Sequence, residues 1–224
     1  MTEDLRLVVF DVDGTLVDSQ NHIHAAVSHA FAAIGLPLPT RERILAIVGL
    51  SLPEAMARLV PEQGPDTRAE LVEAYKQSFA SLRAGPLSPL FAGAAETLAA
   101  LGGRSDVLLG VATGKSRRGL THILDAHGLS GHFVTAQVAD DHPSKPHPAM
   151  LQATLADTGA LAERAVMIGD TSYDIEMGRA AGFHTIGVTW GYHRPEVLEA
   201  AGAGQVIADF AALLPALERI WEAA

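Results

Sequence analysis

The sequence predicts an α/β fold: an open, mostly parallel, Rossmann-like sheet with helices on both faces, carrying an all-helical unit inserted after its first strand. Three observations lead there. Short aliphatic runs alternate with helical patterns from "GAAETLAALG" onward, a spacing that builds βαβ units and therefore parallel strands. One further apolar run, "VVF" at Val8–Phe10, stands far upstream of the others. Between the two lies a long stretch that reads as helices with no strand pattern.

The elements follow in order. The first strand closes on "DVDGTLVDS". Asp18 or Ser19 is placed to cap a helix over "NHIHAAVSHAFAAIG", which Gly35 stops. "TRERILAIVG", "LPEAMARLV" and "TRAELVEAYKQSFASLR" each read as helical, separated by Gly and Pro. Leu71, Tyr75, Ser78, Phe79 and Leu82 give the last of these one buried face. "AGPLSP", with Gly85, Pro86 and Pro89, reads as the return hinge. Then come the helix "GAAETLAALG", the strand "DVLLGVAT", the helix "SRRGLTHILDAHG" and the strand "HFVTAQV". After these come the helix "PAMLQATLADTG", the strand "RAVMIGD", the helix "YDIEMGRAAG" and the strand "HTIGVTW". "QVIADF" and a last helix, "FAALLPALERIWEAA", close the chain. The expected division is residues 1–16 and 87–224 as an α/β core and residues 17–86 as a helical insertion.

Composition bounds the function. With 224 residues, 48% of them hydrophobic, the chain suits one large core with a modest insertion. A formal net charge of −10 argues against nucleic acid or an anionic membrane as partner. The absence of cysteine excludes disulfides, thiolate catalysis and cysteine-based zinc sites, and fits a reducing cytoplasm. "MTEDLR" is acidic and short, unlike a signal peptide, and no apolar run reaches membrane-spanning length. A cytoplasmic protein, monomer or homodimer, is expected.

Open parallel sheets bind ligands beyond the carboxyl ends of their strands. There the first strand offers Asp11 and Asp13, "DVLLGVAT" offers Thr113, Gly114 and Lys115, and "RAVMIGD" offers Asp170 with Asp174 just after. Lys145 follows a fourth strand in "SKPHP". A single aspartate at a strand end is an ordinary cap. Clustered carboxylates repel each other and need a cation or a buried lysine to coexist. Oxygen ligands without sulfur or imidazole select Mg²⁺. A carboxylate beside that ion can attack phosphorus and form an aspartyl phosphate. A second carboxylate can protonate the leaving oxygen and then activate water. Thr113 and the loop amides after it, from Gly114 on, suit phosphate oxygens, and Lys145 suits the charge between nucleophile and phosphate.

"DVDGT", "ATGKS", "SKPHP" and "GDTSYD", in this order and spacing, resemble the four motifs of the haloacid dehalogenase-like superfamily over nearly the whole chain. The resemblance implies that Asp11 is the nucleophile, Asp13 the general acid/base, Thr113 a phosphate ligand and Lys145 a charge stabiliser. It implies a Mg²⁺ site made by Asp11, Asp170 and the main-chain carbonyl of Asp13, with Asp174 acting through water or Lys145. The helical insertion resembles the family's small cap. "VGLSLPEAM" aligns with the family's specificity loop, which implies substrate contacts from Gly49 and Ser51.

Asp13 argues against true haloacid dehalogenases, which lack this second aspartate. Lys76 is the only lysine of the insertion, and nothing there suggests Schiff-base chemistry. Sugar phosphomutases of this kind usually carry a basic residue in the specificity loop, where Leu50 and Leu52 flank Ser51 here. The first insertion helix and "GVTWGYHRPEVLEAAGAGQVI" look like the phosphoglycolate phosphatase group. The expected function is therefore a Mg²⁺-dependent phosphatase of a small phosphorylated metabolite, with 2-phosphoglycolate the leading substrate. The alternatives are a pyrophosphatase, a nucleotide or sugar-phosphate phosphatase, or a β-phosphoglucomutase-like mutase. A catalytically idle binding protein is the alternative of a different class, against which the complete motif set argues. His22, His24 and His29 read as solvated or core histidines rather than a metal site. Asp140 and Asp141 read as turn chemistry, Arg117 and Arg118 as a solvated face, and Trp190 and Tyr192 as packing residues.

Overall fold

The structure, a computed structural model, describes residues 5–82 and 87–223. Six strands form one sheet: β1 (Arg6–Phe10), β2 (Val107–Thr113), β3 (Thr135–Val138), β4 (Ala165–Gly169), β5 (His184–Val188) and β6 (Gln205–Ile207). All pair in parallel, in the order β3-β2-β1-β4-β5-β6. The chain steps outward from β1 to β3, then returns to the other side of β1 to lay down β4. The direction of winding reverses between β1 and β4, which opens a crevice at their carboxyl ends.

Alternation along β1 explains why the strand is apolar on both faces. Val8 and Phe10 enter one core with α5 (Ala94–Gly102), α6 (Arg117–Ala126) and α10 (Leu213–Ala223). Leu7 and Val9 enter the opposite core with α7 (Ala149–Thr158) and α8 (Ser172–Ala180).

Between β1 and α5 the described elements are helices: α1 (Gln20–Ala33), α2 (Arg41–Leu45), α3 (Leu52–Leu59) and α4 (Pro65–Leu82). They enclose their own core around Val27, Phe31, Ile44, Met56, Leu59 and Leu71, against which Tyr192 of the sheet unit also packs. The chain segments that connect the two units lie side by side. Asp18 N donates to Pro89 O (2.9 Å), Phe91 N donates to Leu16 O (2.9 Å), and Val17 bridges Leu90. Gly85 and Pro86, expected as the return hinge, lie outside the described residues. No helix among the described residues is long and apolar enough to cross a membrane.

Four local expectations change. Ser19 occupies the N-cap position of α1, but its hydroxyl makes no capping bond; a neighbouring aspartate takes it instead. α2 covers only part of "TRERILAIVG", because the chain turns after Ala46 and reaches Gly49 at φ +94°. β3 begins at Thr135, three residues after the start of "HFVTAQV". The sequence reading also missed α9 (Pro195–Ala200), a helix of 6 residues opened by Pro195, too short for apolar periodicity to declare it.

Leu98 is fully buried in the core beneath α5, whereas Leu161 is largely exposed. Leu98→Ala is expected to cost about 2–5 kcal/mol in urea unfolding, and Leu161→Ala to stay within about 0.5 kcal/mol.

Candidate active site

The crevice between β1 and β4 collects the charges. Asp11 follows β1, and its N–H donates to Ile168 O of β4 (2.9 Å). The chain then folds back at once, as the amides of Thr15, Leu16 and Val17 all donate to Val12 O. Gly14 makes this possible at φ +87°; a Cβ there would lie 2.2 Å from Asp170 Oδ2. Thr15 Oγ1 donates to Asp170 Oδ1 (2.9 Å) and Tyr192 N donates to Asp170 Oδ2 (2.8 Å). Asp170 is thus held by the loops after β1 and β5 together.

Asp174 sits in the first turn of α8 as half of a capping box. Thr171 N (3.1 Å) and Thr171 Oγ1 (2.7 Å) both donate to Asp174 Oδ2. Its other oxygen accepts from Lys145 Nζ at 2.6 Å, and the same ammonium donates to Asp11 Oδ1 at 2.8 Å. Lys145, Asp11 and Asp174 are all buried.

Asp11, Asp170 and Asp174 each bring a carboxylate oxygen within 4.8 Å of the others. Three carboxylates face one ammonium, so charge balance is incomplete. Burial, assisted by Asp174 and Asp13 against the pull of Lys145, pushes the Asp11 carboxyl up to about 7. Burial, with Asp11 and Asp174 adding to it, raises Asp170 well above the usual range. Burial lowers Lys145, but Asp11 and Asp174 more than reverse this and keep it charged. Asp11 Oδ2 is buried and has no hydrogen-bond partner. An all-oxygen donor set, excess negative charge and an unpartnered carboxylate oxygen fit a small divalent cation such as Mg²⁺.

The Asp13 carboxylate lies outside that cluster. It accepts from the Ser19 hydroxyl, which also bonds Tyr192 Oη (3.0 Å), and it pairs with Lys115 Nζ at 2.9 Å. Thr113 ends β2, buried, and its Oγ1 accepts from Lys115 N (3.3 Å).

The insertion closes over this end of the sheet. A Cβ on Gly114 would lie 2.5 Å from Gly49 O and 2.6 Å from Leu50 O, so the loop before α3 rests on the Gly114 backbone. Ser51 N donates to Ser144 Oγ (2.9 Å), next to Lys145. Behind it, Tyr173 Oη (2.9 Å) and His193 Nε2 (3.4 Å) reach Ala46 O. Burial lowers the pKa of His193, in keeping with a neutral ring whose Nδ1 accepts from Ser172 N (3.0 Å). Between insertion and sheet lies a cavity of about 510 Å³, reaching from Asp13 and Gly114 to Val27, Tyr75 and Phe79.

Every residue named at the strand ends therefore falls at this one end of the sheet. Gly49 and Ser51 meet Gly114, Thr171 and Ser144. His22 is instead tied to Ser88 Oγ (2.7 Å). Asp140 accepts from Arg117 N (2.8 Å) and Asp141 pairs with the Arg117 side chain (2.6 Å), so this acidic pair secures the start of α6. Sequence reasoning set Lys115 of "ATGKS" at the ligand end of the sheet without giving its side chain a task, read Ser19 as a helix cap, and gave Thr15 no role. Tyr192, read as packing, donates its amide to Asp170.

Residues 8–188 match the family model described as haloacid dehalogenase-like hydrolase. The chain is 37% identical over 207 residues to a protein of Dickeya dadantii named "Probable phosphatase IndB", covering 91% of this chain and 89% of that one. It is 31% identical over 215 residues to a phosphoglycolate phosphatase of Pectobacterium atrosepticum, covering 94% and 92%. The crystal structure of a hydrolase from Pseudomonas syringae superimposes with a TM-score of 0.84 at 27% identity, covering 96% of this chain and 99% of that one.

Lys145→Met leaves the acidic cluster without its ammonium. It is expected to lower the unfolding free energy by about 3–5 kcal/mol. Asp11→Asn in the same background should recover part of the loss, and equal losses in both backgrounds would contradict the coupling. In wild-type protein Mg²⁺ is expected to raise Tm relative to chelator, an increase that Asp170→Asn should diminish.

Proposed function

We propose that this chain, which belongs to the haloacid dehalogenase-like hydrolase family, hydrolyses a small phosphomonoester through an aspartyl phosphate on Asp11, with Mg²⁺ held among its carboxylates. The observation that carries this reading is the state of Asp11. One oxygen is fixed by Lys145 and the other has no hydrogen-bond partner, so the carboxylate is oriented by the ammonium and keeps lone pairs free for a cation and for phosphorus.

Each residue then has a task. Asp11 attacks phosphorus, and the bond to the leaving oxygen breaks. Lys145 orients Asp11 and offsets charge on the phosphoryl oxygens. Thr113 and the Gly114 amide bind those oxygens at the end of β2. Asp13 gives the leaving oxygen a proton, then takes one from the water that hydrolyses the acyl phosphate. Bound Mg²⁺ neutralises charge on the carboxylates and the phosphoryl group. Asp11, Asp170 and the Asp13 carbonyl would hold it, with Asp174 behind them through Lys145. Helices α1–α4 act as a cap, residues 17–86, whose Gly49–Ser51 loop shuts the site from water and meets the leaving group.

Among substrates, 2-phosphoglycolate leads. The 31% identity to a phosphoglycolate phosphatase supports it. So does the loop over the site, where Gly49, Leu50, Ser51 and Leu52 supply no cation for the second phosphate of a sugar bisphosphate.

Phosphate release with and without Mg²⁺, across a panel of phosphorylated metabolites, tests the reading. Asp11→Asn is expected to abolish turnover while keeping the fold, because an amide does not attack phosphorus; near-normal turnover would end the aspartyl-phosphate mechanism. In single-turnover phosphorylation of the enzyme, Asp13→Ala should lose more rate on an alkyl phosphate than on p-nitrophenyl phosphate, which needs little protonation. Gly114→Val places side-chain atoms against the Gly49 and Leu50 carbonyls. It is expected to prop the cap open and lower kcat/KM at least about tenfold, measured beside an unchanged unfolding midpoint.

A further inference from the structure

The chain has a formal net charge of −10 and three lysines, Lys76, Lys115 and Lys145. All three are at the site. Lys145 lies inside the acidic cluster, and Lys76 and Lys115 line the cavity between cap and sheet. Such concentration of scarce ammonium groups calls for a negative charge beyond the transferred phosphate, which Lys145 already faces.

Lys115 is the telling one. Its side chain is only 8% exposed, its Nζ is 2.9 Å from Asp13 Oδ1, and the Phe79 ring of the cap lies 5.3 Å away. It thus joins the residue that meets the leaving oxygen to the wall that meets the leaving group. Arg118 lines the same cavity and, among the described residues, makes no hydrogen bond or ion pair. Its neighbour Arg117, by contrast, is fixed on Asp141 and Ala136 O. The acidic groups that face this region are Asp13, taken by Lys115, and Asp140, which accepts from Arg117 N. Lys76 is paired with Glu73. Arg118 is the cation left for a ligand, and Lys115 is the one that a ligand could draw off.

We propose that Lys115 and Arg118 form a subsite for a carboxylate on the leaving group, and that Lys115 moves to it from Asp13 when substrate binds. The exchange moves the largely buried Lys115 ammonium from one ion pair to another beside the exposed Arg118, so the ammonium is never stranded. It also clears Asp13 for the leaving oxygen only when the anionic substrate is present. A neutral alcohol of equal size gains neither effect. The inference rests on the phosphatase reading above and adds the two residues that select its substrate.

A matched pair of substrates decides it: 2-phosphoglycolate, and 2-hydroxyethyl phosphate with a neutral hydroxymethyl in place of the carboxylate. Turnover of p-nitrophenyl phosphate with Mg²⁺ is the control. Wild-type enzyme is expected to prefer the carboxylate by at least about tenfold in kcat/KM. Lys115→Met and Arg118→Met should each shrink that ratio several-fold, mainly through a higher KM for 2-phosphoglycolate. Lys115→Arg, which keeps the charge, should retain most of it. A wild-type ratio near one, a stronger preference for a substrate with a second phosphate in place of the carboxylate, or an undiminished ratio in both methionine variants would overturn the subsite. In each of these cases p-nitrophenyl phosphate turnover would leave the phosphatase reading intact, whereas no turnover of any phosphomonoester would overturn both.

Discussion

One ammonium holds the site together. Lys145 Nζ reaches Asp11 at 2.8 Å and Asp174 at 2.6 Å, and all three side chains are buried. Removed from water, those carboxylates and Asp170 would repel one another strongly, since desolvation and like charge act in the same direction. The lysine offsets part of this repulsion. The loops that converge here serve that balance. Gly14 and Gly191 come so close to Asp170, and Gly169 to Asp174, that a Cβ at any of them would overlap the carboxylate's side chain. The acidic residues are packed by backbone.

The second constraint is closure. The α1–α4 unit has its own core, and the cavity lies between that unit and the sheet unit. Beside Tyr192, which packs on that core, polar or backbone contacts join the units: the Gly49–Leu50 carbonyls over Gly114, Ser51 on Ser144, and Ala46 O between Tyr173 and His193. Contacts of this kind exchange readily with water, whereas an apolar seam would not. The paired segments at Leu16–Asp18 and Pro89–Phe91 keep the two units joined at one side. The arrangement suits a chamber that must admit a charged substrate and then exclude solvent.

The order of the strands, the helices other than α9, the helical stretch after the first strand and the carboxylates that follow the strands could be read from the sequence. Those features are local. A strand buried on both faces must be an unbroken apolar run, and "VVF", "VLLGVAT" and "AVMIG" are such runs. Parallel strands carry their ligand-binding residues at one end, so Asp11, Thr113 and Asp170 announce themselves by following those runs. α9 escaped because 6 residues show no period. Ser19 was misread as a cap because its identity fits that task equally well, and only the nearness of Asp13 decides otherwise.

What the sequence determined by itself is the set of chemical groups and the strand ends that carry them, because apolar runs and the residues after them are fixed along the chain. What the tertiary structure decided is who meets whom. Lys145 lies 134 residues from Asp11 and Thr15 lies 155 from Asp170; Lys115 reaches Asp13, and Gly114 lies beneath the cap loop. These pairings depend on the winding of β2 and β4 to either side of β1 and on where the inserted helices come to rest. Neither is written in any local spacing, since each arises when several separate surfaces are buried at once.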